Sequence, residues 1–130
     1  MNVVDSSGWI EYFTASPDAE FFANPIEDTG NLVVASVSLL EVFRWVCREH
    51  GESKALHAIV LMQQGHIVDL DATLATRAAK LGLQYKLPLA DSIMLATADV
   101  FGATLWTQDA DFENIPGVQY RPKASVRLSR

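Results

Sequence analysis

Disulfide pairs, glycine-rich phosphate loops, long apolar runs and a surplus of positive charge are all missing from this 130-residue chain. The single cysteine, Cys47, excludes an intramolecular disulfide framework and fits a reducing compartment. No apolar run approaches the roughly 18 residues of a membrane span. The N-terminus lacks the basic flank and long apolar core of a secretory signal. The chain therefore reads as a soluble, cytoplasmic protein with no membrane partner. His50, His57 and His66 have no partner at ligand spacing and Cys47 stands alone, which disfavours a zinc site. No serine–histidine pairing is defensible. A net charge of −6 argues against indiscriminate binding to nucleic acid.

What is present is enough for one well-packed domain. With 49% hydrophobic residues the chain can bury a core without a disulfide or structural metal. Charge is unevenly spread. Arg121, Lys123, Arg127 and Arg130 fall in the last ten residues, which hold no acid, so residues 1–120 carry all sixteen acids against six bases. This divides the chain into a domain over residues 1–120 and a basic tail over residues 121–130, either a solvated end or a tether to phosphate or an acidic partner.

Local patterns alternate between strand and helix. Asn2-Val3-Val4 reads as a first strand, and Ser6 or Ser7 as the cap of a helix through Trp9, Ile10, Tyr12 and Phe13. Ser16-Pro17-Asp18 opens a second helix that carries Phe21 and Phe22 and ends before Pro25. After a turn at residues 28–31, Leu32-Val33-Val34-Ala35 forms a buried strand. Ser38 and Glu41 have capping-box spacing ahead of a helix to His50-Gly51. A helix over Ser53–Gln64 presents Leu56, Ile59, Val60 and Met62 as its apolar side. The strand His66–Leu70 follows, then a helix capped by Asp71 and stopped near Gly82. Pro88 introduces a largely apolar helix that holds Asp91 in its first turn and ends at Phe101-Gly102. Thr104–Thr107 and Val118–Tyr120 complete the strands. Such alternation predicts a mainly parallel sheet with helices on its faces, and ligands in such sheets bind outside the carboxyl ends of the strands.

Four acids fall where that rule looks for function. Asp5 ends the first strand, Glu41 lies early in the helix after the second, Asp91 opens the helix leading into strand four, and Asp109 follows strand four. Each also has a structural reading: helix-dipole placement for Asp91, a capping box for Glu41, a turn for Asp109 and Asp111. Together at one rim, without a matching base, they would repel one another and hold raised pKa values unless a divalent cation supplied the missing charge. All-oxygen ligands favour Mg²⁺, or Mn²⁺ as a substitute, over zinc. A haloacid-dehalogenase reading fails because Ser7 stands where a second aspartate is needed. A receiver-domain reading lacks a clear acidic pair and a lysine after the last strand.

The acids and their surroundings resemble PIN-domain ribonucleases, in particular VapC-type toxins of type II toxin–antitoxin systems. Asn2-Val3-Val4-Asp5-Ser6-Ser7 is similar to the family's opening strand and first acid. Glu41 matches the second acid, Ala90-Asp91-Ser92-Ile93-Met94-Leu95-Ala96-Thr97-Ala98 the third, and Thr107-Gln108-Asp109-Ala110-Asp111-Phe112 with Ile115-Pro116-Gly117-Val118 the closing motif. The likeness runs from residue 2 to about residue 120. It implies a PIN-like three-layer α/β/α fold around a central, mainly parallel sheet of four to five strands. It implies a Mg²⁺-dependent endoribonuclease with Asp5, Glu41, Asp91 and Asp109 as catalytic, metal-holding residues. Ser7, Thr107 and Asp111 would orient them. Arg44 and Arg48, spaced i, i+4 on the Glu41 helix, with Lys80 and Lys86, are candidates for RNA phosphate. The resemblance further implies a homodimer and a VapB-type antitoxin that inhibits at the acidic site. The aromatic segment Trp9, Ile10, Tyr12, Phe13, Phe21 and Phe22 is a candidate for the antitoxin groove or dimer contact.

Overall fold

The structure, a computed structural model, describes residues 1–124. Five strands, β1 (Asn2–Val4), β2 (Leu32–Ala35), β3 (His66–Val68), β4 (Thr104–Thr107) and β5 (Val118–Tyr120), form one sheet in the order β3-β2-β1-β4-β5. Every pairing is parallel, with Asn2 opposite Leu32 and Thr104, Val33 opposite His66, and Leu105 opposite Val118. The strand order reverses between β1 and β4, which makes their shared carboxyl edge a topological switch point, the place where such sheets hold ligands.

Two helical layers cover the sheet because its short strands are apolar on both sides. Val4 and Val34 face a core with Trp9, Phe22, Val46 and Met62. This side is built by α1 (Ser6–Phe13), α2 (Ala19–Glu27), α3 (Ser36–His50) and α4 (Glu52–Met62). Val3, Val33 and Leu105 face Met94, Leu95, Ala98 and Phe112 on the other side, beneath α6 (Leu89–Val100), which pairs with α5 (Ala72–Tyr85). Each fully buried side chain of this size contributes about 1.5–3 kcal/mol. Gly8 permits close contact of α1 with α2: a Cβ there would lie 2.6 Å from the Phe22 ring and 2.8 Å from Val4. No helix is long and apolar enough to cross a membrane among the described residues.

Several local expectations are corrected. Asp5, not Ser6 or Ser7, caps α1, accepting from Ser6 N at 2.8 Å. Helix α2 continues through Pro25, whose turn is held by the burial of Pro25 and Ile26. Helix α3 starts at Ser36, so Ser38 lies inside its first turn and the Ser38–Glu41 capping box does not form. On α4 Met62 is buried as expected, but the rest of the buried side is Ala55 and Ala58, small residues that fit its close packing on α3, while Leu56 and Val60 are exposed. Strand β3 stops at Val68, leaving Leu70 exposed. Helix α5 runs past Gly82 to Tyr85 and ends at Lys86, which is left-handed at φ 57°. Gly82 serves close packing instead, since a Cβ there would lie 3.0 Å from that of Ser92 on α6.

Trp9 and Phe22 belong wholly to the core, and Ile10, Tyr12, Phe13 and Phe21 pack against it. Substituting Phe22 would therefore disrupt the core and cannot report on a partner surface. The start of the basic tail is tied down: Arg121 N donates to Thr107 O at 3.0 Å and Ala124 N to Asp18 Oδ2 at 2.9 Å, and Lys123 lies 3.7 Å from Glu11. Arg127 and Arg130 lie outside the described residues.

Candidate active site

Asp5 is placed by two strands at once. Its N–H donates to Trp106 O at 3.0 Å, extending the β1–β4 pairing one residue past β1. Its carboxylate is then turned inward, 6% exposed, with Oδ1 capping α1 and Oδ2 accepting from Thr107 Oγ1 at 2.9 Å. The Ser7 hydroxyl reaches the same oxygen only at 3.4 Å, a weak contact. Burial raises the Asp5 pKa to about 6 despite hydrogen bonds from Thr107 and Ser6, and the charges of Asp109 and Glu41 push the same way.

Asp91 arrives from the other layer, in the first turn of α6. Its pKa is pushed up to about 7, first by burial, then by the charges of Asp5 and Asp109, a hydrogen bond with Asp109 and the charge of Asp111. Asp109 follows β4: its N–H donates to Thr107 Oγ1 at 3.0 Å, and its Oδ1 accepts from Asp111 N at 2.9 Å, shaping a short 3-10 turn over Ala110–Phe112. Thr107 therefore ties Asp5 to Asp109 through one hydroxyl. One carboxylate oxygen from each of Asp5, Asp91 and Asp109 lies within 4.8 Å of the others.

Glu41 stands beside this trio and outside it. Its Oε1 accepts from Ser6 Oγ at 2.6 Å, and Ser6 Oγ in turn lies 3.1 Å from Ser38 Oγ, which contacts Met94 Sδ at 3.3 Å. Ser6 and Ser38 are thus site-building residues that sequence reasoning missed. The sequence presents Ser38 as a helix cap and Ser6 as a cap within the opening motif, and the signal available is a serine beside each acid-bearing helix start. Asp111 is exposed, and its charge reaches the trio through Asp91.

The trio fits a hard divalent cation. The donors are all oxygen, and no lysine or arginine pairs with any of the three among the described residues. Oxygens around one Mg²⁺ at about 2.1 Å lie roughly 3–4 Å apart, which this envelope accommodates with small rotamer changes. In the absence of a cation, the raised pKa values of Asp5 and Asp91 mean that these two retain protons close to neutrality.

The predicted phosphate contacts are scattered. Arg44 and Arg48 flank an apolar groove of about 680 Å³ along α3 with Leu39, Phe43 and Ile59, and Arg48 also pairs with Glu49. Lys80 sits on α5 beside Thr76 and Arg77, and Lys86 is exposed after that helix.

Fold and site together define an α/β protein with a cation-seeking acidic centre at its sheet's switch point. The PIN domain family model matches residues 3–118, and the chain belongs to that family, whose members are nucleases. A chain of a toxin–antitoxin complex from Klebsiella pneumoniae is similar at 26% identity, with a TM-score of 0.76 over 92% of this chain and 96% of that one. Mycobacterium tuberculosis VapC20, a toxin that cleaves the sarcin–ricin loop, has a TM-score of 0.76 at 16% identity, over 94% of this chain and 100% of that one. A chain of DNA-bound VapBC from Salmonella typhimurium has a TM-score of 0.71 at 15% identity, over 93% and 96%. The last two likenesses speak to fold alone. No curated protein matches the chain.

Proposed function

We propose that the protein is a Mg²⁺-dependent endoribonuclease, the toxin of a toxin–antitoxin pair. The observation that carries this reading is the convergence of Asp5, Asp91 and Asp109 within 4.8 Å at the switch point, with no basic partner among the described residues. Similarity to a chain of the Klebsiella complex supports the toxin role and a VapB-type antitoxin as partner.

Asp5 and Asp91 would make the direct contacts to the ion, with Asp109 and Glu41 completing the cage. The chemistry that a Mg²⁺ held by these carboxylates would supply is activation of a water and neutralisation of charge on the scissile phosphate. The chain's own residues do the positioning. Thr107 fixes Asp5 and Asp109 relative to each other, Ser6 fixes Glu41, and burial of Asp5 keeps that carboxylate from being fully hydrated. Asp111 adds negative charge at the exposed side. Arg44, Arg48 and Lys86 are assigned to phosphates of the RNA, which keeps an acidic body from repelling its substrate. The exposed Leu40, Leu56 and Val60 along α3 and α4, and Leu83 and Leu89 around the α5–α6 junction, offer apolar area for the antitoxin and for a homodimer.

The test is cleavage of end-labelled RNA by purified protein. Cleavage with Mg²⁺ that disappears in chelator, and in folded Asp5→Asn and Asp91→Asn variants, is expected. Cleavage that persists in either variant would defeat the assignment.

A further inference from the structure

A cleft separate from the acids opens between the end of α1, the second half of α3 and the start of α4. It encloses about 510 Å³, with the rings of Phe13 and Trp45 as apolar walls and His50, Lys54 and His57 at its polar side. No carboxylate lines it, in a chain whose acids outnumber its bases sixteen to ten. The His50 ring lies against Trp45, with centroids 5.8 Å apart.

The cleft adjoins a second depression on the side of the acidic centre. Thr14 and Trp45 line the cleft and also line that depression of about 410 Å³, which reaches Ser7 beside Asp5. Glu11 and Asp18 border that depression; Lys123 and Gln108 engage Glu11, and Asp18 is 2% exposed with one oxygen accepting from the Ala124 N–H, so neither carboxylate stands open to a passing phosphate. The larger groove at Arg44 and Arg48 shares no residue with this path. Along α3, Glu41 to His50 spans about 13 Å, enough to carry a strand well beyond the scissile bond.

Resting on the ribonuclease reading above, we infer that single-stranded RNA leaves the acidic rim past Ser7, stacks a base on Trp45 and seats a following phosphate against Lys54, His50 and His57. An aromatic face beside cationic and N–H donors is how proteins hold single strands without reading their sequence.

The test compares a dinucleotide with a single strand of roughly ten nucleotides, using cleavage kinetics with Mg²⁺ and fluorescence anisotropy in chelator. Circular dichroism checks folding. For the longer strand, Lys54→Glu with His57→Glu is expected to raise KM about tenfold or more at retained kcat. It is also expected to lower the salt slope of binding by about one or more. Trp45→Ala is expected to weaken binding of the longer strand about five- to hundredfold, with Trp45→Phe restoring most of it. The dinucleotide is expected to show none of these losses. Equal behaviour of all variants with both lengths would overturn the path while leaving the ribonuclease reading intact. Failure of the unaltered chain to bind the longer strand more tightly than the dinucleotide would overturn it whatever the cleavage result. Loss of binding to a protein partner alone, with RNA unaffected, would do the same.

Discussion

Two groups of buried or half-buried acids lie close together in this fold, and the chain answers their charge differently. Glu11, on α1, is met by a cation of the chain itself, Lys123 at 3.7 Å, and by Gln108 at 3.2 Å, while nearby Asp18 accepts from the Ala124 N–H at 2.9 Å through one oxygen and leaves the other without a partner. Asp5 accepts from Thr107, the Ser6 N–H and, weakly, Ser7, Asp109 accepts from the Asp111 N–H, Asp91 shares a hydrogen bond with Asp109, and none of the three meets a lysine or arginine among the described residues. Burial first, and then the charges of the neighbouring carboxylates, push Asp5 up to about 6 and Asp91 up to about 7. Burial alone therefore does not mark a site. An acid met by an internal cation, as Glu11 is by Lys123, is structural, and acids grouped without a cation of their own fit one supplied from outside.

The contrast can be broken from the acidic side with the largest effect. Asp5→Asn or Asp91→Asn is expected to lower RNA cleavage by about a hundredfold or more, beyond the 10–100-fold cost typical of an outer-shell partner. Glu11→Gln, which keeps a hydrogen-bonding group for Gln108, is expected to leave it unchanged in the same assay. Thr107→Val removes the hydroxyl shared by Asp5 and Asp109. It is expected to weaken Mg²⁺ binding about 10- to 100-fold, measured as the concentration giving half-maximal cleavage.

Smaller effects concern stability and its sign. Asp5 at about 6 and Asp91 at about 7 hold protons more tightly when folded than at the ordinary value of 3.8. Their contribution to stability is therefore full below about pH 4 and is lost as pH rises through 6 to 7 in the cation-free protein. Removing one charge should help at the alkaline end: Asp91→Asn is expected to raise the cation-free thermal midpoint by a few degrees at pH 7.5 and by nothing measurable at pH 4. Mg²⁺ should raise the midpoint of the unaltered protein at pH 7.5 more than at pH 5, where protons occupy the acids. The smallest change is on the self-paired side. Lys123→Ala is expected to cost at most about 1 kcal/mol in denaturant unfolding, because the lysine side chain is 66% exposed, and to leave the Mg²⁺-induced shift intact.

Much of this was legible from residue order, for a physical reason. Strand ends and helix starts are local signals, and a parallel sheet brings everything that follows a strand to one edge, so Asp5, Asp91 and Asp109 converge as soon as the alternation is recognised. Side-chain ties across the sequence were not legible. The Ser6–Glu41 hydrogen bond joins residues 35 apart, and Ser6 and Ser38 meet across 32. Neither pairing leaves a local trace, so Ser38 looked like a cap. Gly82 misled for a related reason, because its lack of a Cβ is used against Ser92 on a neighbouring helix and not to end its own. The self-paired acids escaped notice because Glu11 meets a partner 112 residues away and Asp18 one 106 residues away.

The most direct measurement is calorimetric titration of Mg²⁺ into the unaltered protein and Asp91→Asn at pH 7.5, repeated in buffers of different ionisation enthalpy to count protons released. Saturable binding by the unaltered protein with net proton release, and loss of both in Asp91→Asn, is the expected result. Absence of binding to the unaltered protein, or equal binding and proton release in Asp91→Asn, would show that the three aspartates are not a cation site.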